Sequence, residues 1–410
     1  MTLIFLNRYF HPDHSATSQM LSDLAFGLSA RGYDVRVIAS RQRYDAPEAR
    51  LPARATIDGV AIHRVWTSHF GRGKLIGRAV DYATFYVSAA LMLWWLARAG
   101  DIIIAKTDPP MLSVVVAPIA RWRGARLVNW LQDLFPEVAE AVGLDRHQAP
   151  SFVYDALRVL RNWSLRSAAM SVALGDRMAE RLAALGVAPD RVSIIQNWAD
   201  GVLIKPVVPK NNPLRHEWGL DGKFVVGYSG NLGRAHDYHT LLDAITRVES
   251  ATPDSSEIRW LFVGGGALHS AFAGELRARG LKSVLFKPYQ PRHLLAQSLS
   301  AADVHLVHLK PELEGLIVPS KFYGIAAAGR PTIFVGDGDG EIARIIRRHD
   351  LGYVVNEGDG RELAARVLAL TRDPALCREI GARARQACEK KFEQQIAIER
   401  WEALLAGLPN

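Results

Sequence analysis

The feature of this sequence that most limits its possible folds is a repeated alternation of short apolar runs with helical patterns. Most of the runs in the first half are separated by helical periodicity, and they lie at Thr2–Leu6, Asp34–Ala39, Asp101–Ala105, Leu127–Leu131, Met170–Ala173 and Val192–Ile195. Continuous apolar strands joined through helices indicate a parallel sheet covered on both faces, because a parallel connection needs a crossover. The pattern therefore predicts a doubly wound α/β domain.

The same alternation starts again in the second half of the chain. Lys205–Pro213 carries three prolines and no apolar periodicity, which predicts a linker. Six further apolar runs follow it, at Phe224–Tyr228, Trp260–Val263, Val284–Phe286, Val304–Leu309, Thr332–Val335 and Tyr353–Val355. A chain of 410 residues that is 49% hydrophobic is large enough for two domains. We predict Rossmann-like domains over residues 1–203 and 204–389, with a C-terminal helix at about 390–410 that packs back onto the first.

Charge is unevenly distributed along the chain, whose formal net charge is +8. Between Arg31 and Arg98 there are eleven Arg and Lys against five Asp and Glu. Such an excess favours an anionic partner, for which a membrane surface is the candidate. Nucleic acid is not favoured, because no basic helix or stacked aromatic motif accompanies the charge.

Two features indicate a cytosolic protein. The only cysteines, Cys377 and Cys388, lack the spacing of a metal site or a disulfide framework, which fits a reducing compartment. The apolar run Thr2–Leu6 is too short for the apolar region of a signal peptide.

The uncharged segment Tyr82–Ala97 has two interpretations. It is shorter than the roughly 20 apolar residues that a membrane-spanning helix requires. It can be a buried core helix, or it can be a helix that docks on anionic lipid with the help of flanking basic residues. Those flanking residues are Arg72, Lys74, Arg78 and Arg98.

In doubly wound sheets, ligands bind beyond the carboxyl ends of the strands. The first strand of the second domain leads into Gly227–Arg234, whose glycines permit a tight turn that brings backbone N–H groups towards an anion. Arg234 would clamp a diphosphate oxygen with its planar fork. The next strand ends in Leu261–Gly266, which repeats the device. A plain strand-to-helix turn is the alternative for this second segment. It lacks the spacing of the dinucleotide fingerprint, and residues 7–12 after the first strand of the chain contain no glycine, so a nicotinamide or flavin enzyme is disfavoured.

The segment Glu312–Pro331 holds three further candidates. Ser320 is placed to cap the helix that follows it. Lys321, in the first turn of that helix, is electrostatically unfavourable unless an anion lies in front of it, so we expect it to contact phosphate. Glu314 can hold sugar hydroxyls, although a solvated surface carboxylate is the commoner outcome for a lone glutamate.

Four motifs in the second half, taken together, resemble the donor half of a family 4 glycosyltransferase with the GT-B fold. They are Gly227–Ala244, Phe262–Gly266, Pro319–Pro331 and Val335–Ile342. In the first half, Tyr9–Thr17, Gln132–Pro136 and Ile195–Asp200 resemble the bacterial exopolysaccharide and O-antigen branch, which includes colanic-acid fucosyltransferase and N-acetylfucosaminyltransferase types.

This resemblance implies two doubly wound domains facing a cleft, and a retaining transfer from a nucleotide-diphosphate sugar in surface-polysaccharide synthesis. The implied acceptor is a polyprenyl-diphosphate-linked saccharide at the inner face of the cell membrane, and no metal or other cofactor is implied. The catalytic candidates are Arg234, Lys321 and Glu314. The donor-binding candidates are Gly230, Asn231, Gly233, Gly264, Gly265, Gly266, Ser320, Gly324, Gly338, Gly340 and Glu341. The acceptor-side candidates are His11, His14, Ser15, Gln132, Asp133 and Asn197. For His11 and His14, solvated loop histidines are an equal alternative, and for Asp133 the alternative is a cap of the adjacent turn.

The sequence also departs from the family pattern. Gly324 stands where many members carry a glutamate that holds the donor ribose, and Gln132 stands where many carry histidine. One alignment places the usual basic pair at Asn231 and His236 rather than at Arg234. Asp337 and Asp339 superficially match a manganese-binding pair of another architecture, but turn formation explains them equally well.

Two rival functions stay open at this point. One is a UDP-sugar 2-epimerase on the same fold. The other is a catalytically inactive donor-binding partner subunit, for which Gly324 is the motive.

Overall fold

The computed structural model describes the chain apart from residues 45, 47, 72–74, 144–150, 252–256 and 409–410. Arg72 and Lys74, two of the basic residues expected to flank the Tyr82–Ala97 helix, therefore lie outside the described residues. The chain divides into two compact units. The first comprises residues 1–196 with 397–410, and the second comprises residues 197–396.

The first unit is built on an eight-stranded sheet. Its strands are β1 (Thr2–Leu6), β2 (Asp34–Ser40), β3 (Arg54–Ile57), β4 (Val60–Val65), β5 (Ile102–Lys106), β6 (Arg126–Trp130), β7 (Met170–Ala173) and β8 (Val192–Ile194). The order in the sheet is β3-β4-β2-β1-β5-β6-β7-β8, and all neighbours are parallel except β3 and β4. The buried apolar strand β1 lies at its centre, as its uninterrupted apolar run predicts.

Within the described residues, six α-helices connect these strands. They are α1 (Ala16–Ala30), α2 (Leu75–Leu96), α3 (Leu112–Arg123), α4 (Glu137–Ala141), α5 (Ser151–Ser167) and α6 (Asp176–Ala184). The helix α2 packs beside α3, and α3 packs beside α5.

The second unit is built on a six-stranded parallel sheet. Its strands are β9 (Phe224–Asn231), β10 (Ile258–Gly265), β11 (Val284–Lys287), β12 (Val304–His308), β13 (Thr332–Val335) and β14 (Gly352–Val355). Its helices are α7 (Pro213–Glu217), α8 (His239–Ala251), α9 (His269–Ala278), α10 (Leu295–Ser300), α11 (Lys321–Ala327), α12 (Glu341–His349), α13 (Gly360–Arg372) and α14 (Pro374–Ala387).

The strand order β11-β10-β9-β12-β13-β14 reverses direction between β9 and β12. In the first unit the corresponding reversal lies between β1 and β5. A crevice opens beyond the carboxyl ends of the strands at such a reversal, and this is where doubly wound sheets bind ligands. The fold class predicted from the alternating pattern is confirmed, and the topology marks the end of β9 as the place to examine.

The boundary between the units lies at Gln196 and Asn197 rather than at residues 203 and 204. The segment just after the boundary is bound to the end of the second unit, because Arg385 donates hydrogen bonds to the carbonyl oxygens of Gly201 and Ile204. The last helix, α15 (Gln394–Ala406), belongs from Ala397 onward to the first unit.

The antiparallel pair β3 and β4 was not predicted. The residues of β3 alternate between exposed and half-buried positions and form no apolar run, and β4 includes His63 and Arg64. The apolar run by which the other strands were identified is therefore missing here. These two strands form because β4 pairs with β2 at the edge of the sheet.

A buried ion pair fixes the start of the second sheet. The guanidinium of Arg215 on α7 donates two hydrogen bonds of 3.1 Å to the carboxylate of Asp303, which lies just before β12. The same carboxylate accepts a hydrogen bond from the backbone N–H of Val225 on β9. The side chain of Arg215 is only 4% exposed, so its removal would leave the charge of Asp303 without its partner.

We expect Arg215→Ala to lower the free energy of unfolding by about 3 kcal/mol, since it breaks a desolvated pair. The matched control is Arg247→Ala, which breaks the exposed pair of Arg247 with Asp243 and should lower the free energy of unfolding much less, because solvent screens that pair. Urea denaturation of both variants measures the difference. Equal losses would contradict this account of the sheet.

Candidate active site

Two glycine turns meet at the carboxyl ends of β9 and β10. Gly230, Gly264 and Gly266 have φ angles of 117°, 135° and 136°, a region that side-chain-bearing residues rarely adopt. A Cβ atom built on Gly264 would lie 2.3 Å from the carbonyl oxygen of Gly230, and one built on Gly266 would lie 2.4 Å from that of Leu232. The turns therefore pack backbone against backbone, which only glycine permits.

The side chain of Asn231 lies between these turns. Its amide nitrogen is 2.9 Å from a Cβ atom built on Gly233, and its Oδ1 is 2.5 Å from one built on Gly266. The structure thus brings together six of the donor-binding candidates, namely Gly230, Asn231, Gly233, Gly264, Gly265 and Gly266.

Lys321 reaches this place from the first turn of α11. Its Nζ donates a 2.7 Å hydrogen bond to the hydroxyl of Tyr228 and lies 3.9 Å from the centre of that ring. It also lies 3.8 Å from a Cβ atom built on Gly230. Burial lowers the pKa of Lys321 to about 7, because desolvation disfavours its charged form. The ammonium is therefore next to the first glycine turn in a setting that an anion would stabilise.

His236 also belongs to this cluster. Its Nδ1 donates a 2.8 Å hydrogen bond to the carbonyl oxygen of His308, and its ring lies 6.0 Å from that of Tyr228. Burial, followed by the charge of Lys321, holds its pKa well below the usual value. His236 is thus a neutral neighbour of Lys321, in the position that the alternative alignment gave to a basic residue.

Arg234 lies in the loop between Asn231 and His236, and its side chain is exposed. Within the described part of the chain it has no recorded ion pair or hydrogen bond. The two cations therefore differ in solvation. Lys321 is desolvated at the first glycine turn, whereas Arg234 is solvated and follows that turn in the sequence.

Glu314 is buried, so the expectation of a solvated surface carboxylate is wrong. Its Oε2 accepts a 3.1 Å hydrogen bond from the backbone N–H of Glu341, at the first residue of α12. A Cβ atom built on Gly340 would lie 2.2 Å from its Oε1. Glu314, Gly340 and Glu341 form a second group of candidates, in which the carboxylate binds a helix N-terminus.

Of three other donor-side candidates, Ser320 lacks the predicted capping role, and the structure shows the surroundings of Gly324 and Gly338. The side chain of Ser320 makes no capping hydrogen bond to α11. A Cβ atom built on Gly324 would face the apolar side chains of Leu299 and Ile204, at 3.4 and 4.0 Å. Gly338 lies in a turn whose carbonyl oxygen accepts a hydrogen bond from Arg347.

The aspartates on either side of Gly338 are engaged in this turn. Asp337 accepts a hydrogen bond from the backbone N–H of Asp339, and Asp339 pairs with the guanidinium of Arg344 at 2.8 Å. Both aspartates therefore have the turn-forming role that was the alternative to a manganese-binding pair.

Another group with metal-ligand chemistry is Asp237, His308 and Glu357, whose ligand atoms lie within 4.8 Å of one another. Asp237 already accepts the N–H groups of His239 and Thr240 at the start of α8. The Nδ1 of His308 accepts the N–H of Asp237, which leaves the ring proton of the neutral histidine on Nε2. Burial lowers the pKa of His308 to about 4, so it stays neutral. The group is explained by the capping of α8 by Asp237, which His308 supports. In this tautomer neither ring nitrogen of His308 has a lone pair free for an ion.

Sequence reasoning did not single out Tyr289. Its ring lies 3.2 Å from a Cβ atom built on Gly264 and 3.6 Å from one built on Gly265, and its side chain is 61% exposed. The ring is a flat accessible surface beside the second glycine turn.

The first unit has a polar site of its own at the reversal of strand order. Lys106, at the end of β5, is buried and donates a 2.8 Å hydrogen bond to the carbonyl oxygen of Thr17. Asp108 accepts a hydrogen bond from the hydroxyl of Thr17. Burial raises the pKa of Asp133 to about 6, while a hydrogen bond from Thr107 opposes the shift. Lys106 and Asp108 were missed because a lysine at the end of an apolar run carries no sequence motif.

Several predicted acceptor-side residues carry buried polar atoms that find no hydrogen-bond partner among the described residues. These atoms are the Oγ of Ser15, the Nε2 of Gln132 and the Oδ1 atoms of Asp133 and Asn197. Buried polar atoms are normally hydrogen-bonded, so a group of unsatisfied ones is compatible with a polar ligand. His14 is exposed, and His11 packs edge-on against Phe26. Asn197 lies in the second unit.

Two family models match the chain. The glycosyl transferase 4-like domain matches residues 16–198, and the glycosyl transferases group 1 domain matches residues 223–373. The probable glycosyltransferase WbjE of Pseudomonas aeruginosa is 28% identical over 323 residues, which is 76% of each chain. The putative colanic acid biosynthesis glycosyl transferase WcaI of Escherichia coli K12 is 22% identical over 357 residues, which is 84% of this chain and 86% of that one.

Solved structures share the fold over the full length. Sucrose-phosphate synthase from Thermosynechococcus elongatus superposes with a TM-score of 0.78 at 17% identity, covering 100% of this chain and 99% of that one. Anabaena HepE in complex with UDP-glucose superposes with a TM-score of 0.71 at 18% identity, covering 99% and 100%. These matches do not favour the epimerase or the inactive subunit. The chain belongs to the glycosyltransferases that combine a 4-like domain with a group 1 domain on a GT-B fold.

Proposed function

We propose that this glycosyltransferase carries out a retaining, metal-independent transfer from a nucleotide-diphosphate sugar in bacterial surface-polysaccharide synthesis. The observation that carries the proposal is the ammonium of Lys321, desolvated beside two glycine turns at the reversal of strand order. In the described part of the chain it has no carboxylate partner. A buried cation is stabilised by an anion, and a diphosphate supplies one.

The chemistry follows from the leaving group. Negative charge grows on the diphosphate as its bond to the sugar breaks, so fixed donors aimed at it lower the barrier. Lys321, the backbone N–H groups of the two turns and the N-terminus of α9 are the donors that we assign to this task. Arg234, exposed in the adjoining loop, adds a second cation. Glu314 and the backbone around Gly340 are assigned to the sugar.

The known complexes support a nucleotide donor. HepE has been solved with UDP and with UDP-glucose, and it shares this fold. The ring of Tyr289 beside the second glycine turn is suited to stacking on the base of such a nucleotide.

The acceptor is proposed to be a polyprenyl-diphosphate-linked saccharide at the cytoplasmic face of the cell membrane. The name of the relative WcaI places that protein in colanic acid biosynthesis, which supports assignment to the exopolysaccharide and O-antigen branch. The unsatisfied polar atoms of Ser15, Gln132 and Asp133 are assigned to acceptor hydroxyls. The raised pKa of Asp133 suits a carboxylate that takes a proton or accepts a hydrogen bond near neutral pH.

The donor site is tested first by thermal-shift screening of UDP, GDP and dTDP sugars in the presence of EDTA. We expect one nucleotide class to raise the melting temperature, because a ligand that binds the native state stabilises it. Lys321→Met should abolish that shift and lower kcat by about 10²- to 10³-fold. Lys282→Met, which removes an exposed lysine elsewhere in the second unit, should change neither. Stabilisation that required a metal, or that survived Lys321→Met, would contradict the proposal.

The pKa of Lys321 predicts how donor binding depends on pH. Below about pH 7 the lysine is protonated before binding, so affinity for the nucleotide sugar should be constant. Above pH 7 the free protein must take up a proton in order to bind, so affinity should fall by up to about tenfold per pH unit. Calorimetric titration between pH 6 and 9 measures this, and Lys321→Arg, which is always protonated, should flatten the profile. Identical profiles for the two proteins would exclude Lys321 as the titrating group.

The acceptor assignment is tested by Asp133→Asn. We expect acceptor-dependent transfer to fall about tenfold to a hundredfold, since a charged hydrogen-bond acceptor is lost. Donor-induced stabilisation should stay unchanged, because Asp133 belongs to the first unit. Asp190→Asn, an exposed change in the same unit, is the control. Parallel loss of donor binding and transfer would argue against an acceptor role.

A further inference from the structure

Exposed apolar side chains are concentrated on three neighbouring helices of the first unit. In the described part of the chain, nine of the eighteen exposed large hydrophobic residues lie on α2, α3 and α5. Single exposed apolar residues are ordinary, but a contiguous group marks an interaction surface.

The helix α2 has two apolar faces with different surroundings. Phe85, Ala89 and Leu93, spaced by four residues, are buried in the core of the first unit. On another face, Val87, Leu91 and Trp95 are 61%, 61% and 80% exposed, again spaced by four. Residues four apart lie on one side of a helix, so the segment Tyr82–Ala97 is a core helix on one side and an open apolar surface on the other.

The core side of α2 argues against a spanning helix. Gly77–Leu96 is long and apolar enough to cross a membrane by length and composition. Phe85 and Leu93 are nevertheless completely buried, in the same apolar cluster as the β-strand residues Ile4 and Ile103. Moving α2 into a bilayer would expose this core, so α2 can meet lipid only with its outer side.

The open surface continues onto the next two helices. Trp122 on α3 is 81% exposed, and its ring lies 5.1 Å from that of Trp94 on α2. The hydroxyls of Ser113 and Ser164 hold α3 and α5 together at 2.8 Å. The exposed side of α5 carries apolar residues at helical spacing. We name as the aromatic face the exposed residues Val87, Leu91, Trp95, Trp122, Leu160 and Trp163.

Basic side chains accompany this face. Arg98 and Arg121 are exposed just beyond α2 and at the end of α3, and Arg166 is exposed at the end of α5. The guanidinium of Arg123 lies 5.4 Å from the ring centre of Trp94. None of these four arginines has an ion pair recorded within the described residues. The exposed Asp155 pairs with Arg158, and Asp81 and Asp101 are buried. The charge available on this side is therefore positive.

We propose that the aromatic face docks the first unit on an anionic lipid bilayer. Tryptophan is suited to the interface between apolar chains and headgroups, and the arginines match anionic lipid in sign. Docking is peripheral, since the inner side of α2 stays in the core. The inference rests on the proposed function, because a lipid-linked acceptor is the reason for docking. It adds two anchors that lie outside the segment Tyr82–Ala97, namely Trp122 and Trp163.

The test is flotation of the full chain with phosphatidylcholine vesicles that contain or lack about one third phosphatidylglycerol. We expect binding to the anionic vesicles that weakens as salt is added. The double variant Trp122→Ala, Trp163→Ala should lose about tenfold in apparent partitioning. Arg98→Gln with Arg121→Gln should reduce partitioning at low salt and have little effect at high salt. Trp66→Ala removes an exposed tryptophan outside the three helices and serves as the control.

Two results would overturn the proposal. One is equal flotation of the wild-type protein and the double tryptophan variant. The other is a wild-type dimer in sedimentation that the double variant dissociates, which would assign the face to a second copy of the chain. Donor-induced stabilisation and transfer to a soluble acceptor should be retained in the double variant. If the wild-type protein itself showed neither donor-induced stabilisation nor transfer to a soluble acceptor, the proposed function would be contradicted instead.

Discussion

The proposed donor site depends on the ammonium of one half-buried lysine, which is desolvated where it meets Tyr228. Lys321 projects from the start of α11 onto the ring and hydroxyl of Tyr228, and burial brings its pKa to about 7. A helix N-terminus already carries partial positive charge, so the fold places a desolvated ammonium where its own electrostatics oppose it. A bound anion would therefore stabilise the charged form of Lys321. The reversal of strand order between β9 and β12 marks the edge of the sheet at which such an anion is expected to bind.

The glycines let the two turns approach each other beside this charge. At Gly264 and Gly266 the neighbouring carbonyl oxygens occupy the space that a Cβ atom would need, so the two turns can approach only as bare backbone. The same topological rule operates in the first unit, where the strand order reverses between β1 and β5. There the site is formed by side chains, with Lys106 hydrogen-bonded to Thr17 and with buried polar atoms of Gln132 and Asp133 left without partners in the described residues. We therefore assign the second unit's site to an anion and the first unit's site to hydroxyl groups.

The sequence predicted those parts that depend on local chemistry. Apolar runs identified most strands, glycines after strands identified the turns, and a lysine at a helix start identified Lys321. It failed where contacts between distant segments decide the outcome. The β3–β4 pair has no apolar run, and the burial of Glu314 depends on its contact with the start of α12. The same limit applies to α2, since a single apolar stretch cannot show which of its faces the core will cover. His236 was recognised only as an alternative, because the register of a glycine loop is fixed by its packing against Tyr228 and His308.

A crystal structure of the protein with a nucleoside diphosphate tests the central claim most directly. The account predicts a diphosphate oxygen within about 3 Å of the Nζ of Lys321, with backbone N–H groups of the two glycine turns directed at the same phosphates. A diphosphate bound elsewhere, with the ammonium of Lys321 still donating only to Tyr228, would contradict it.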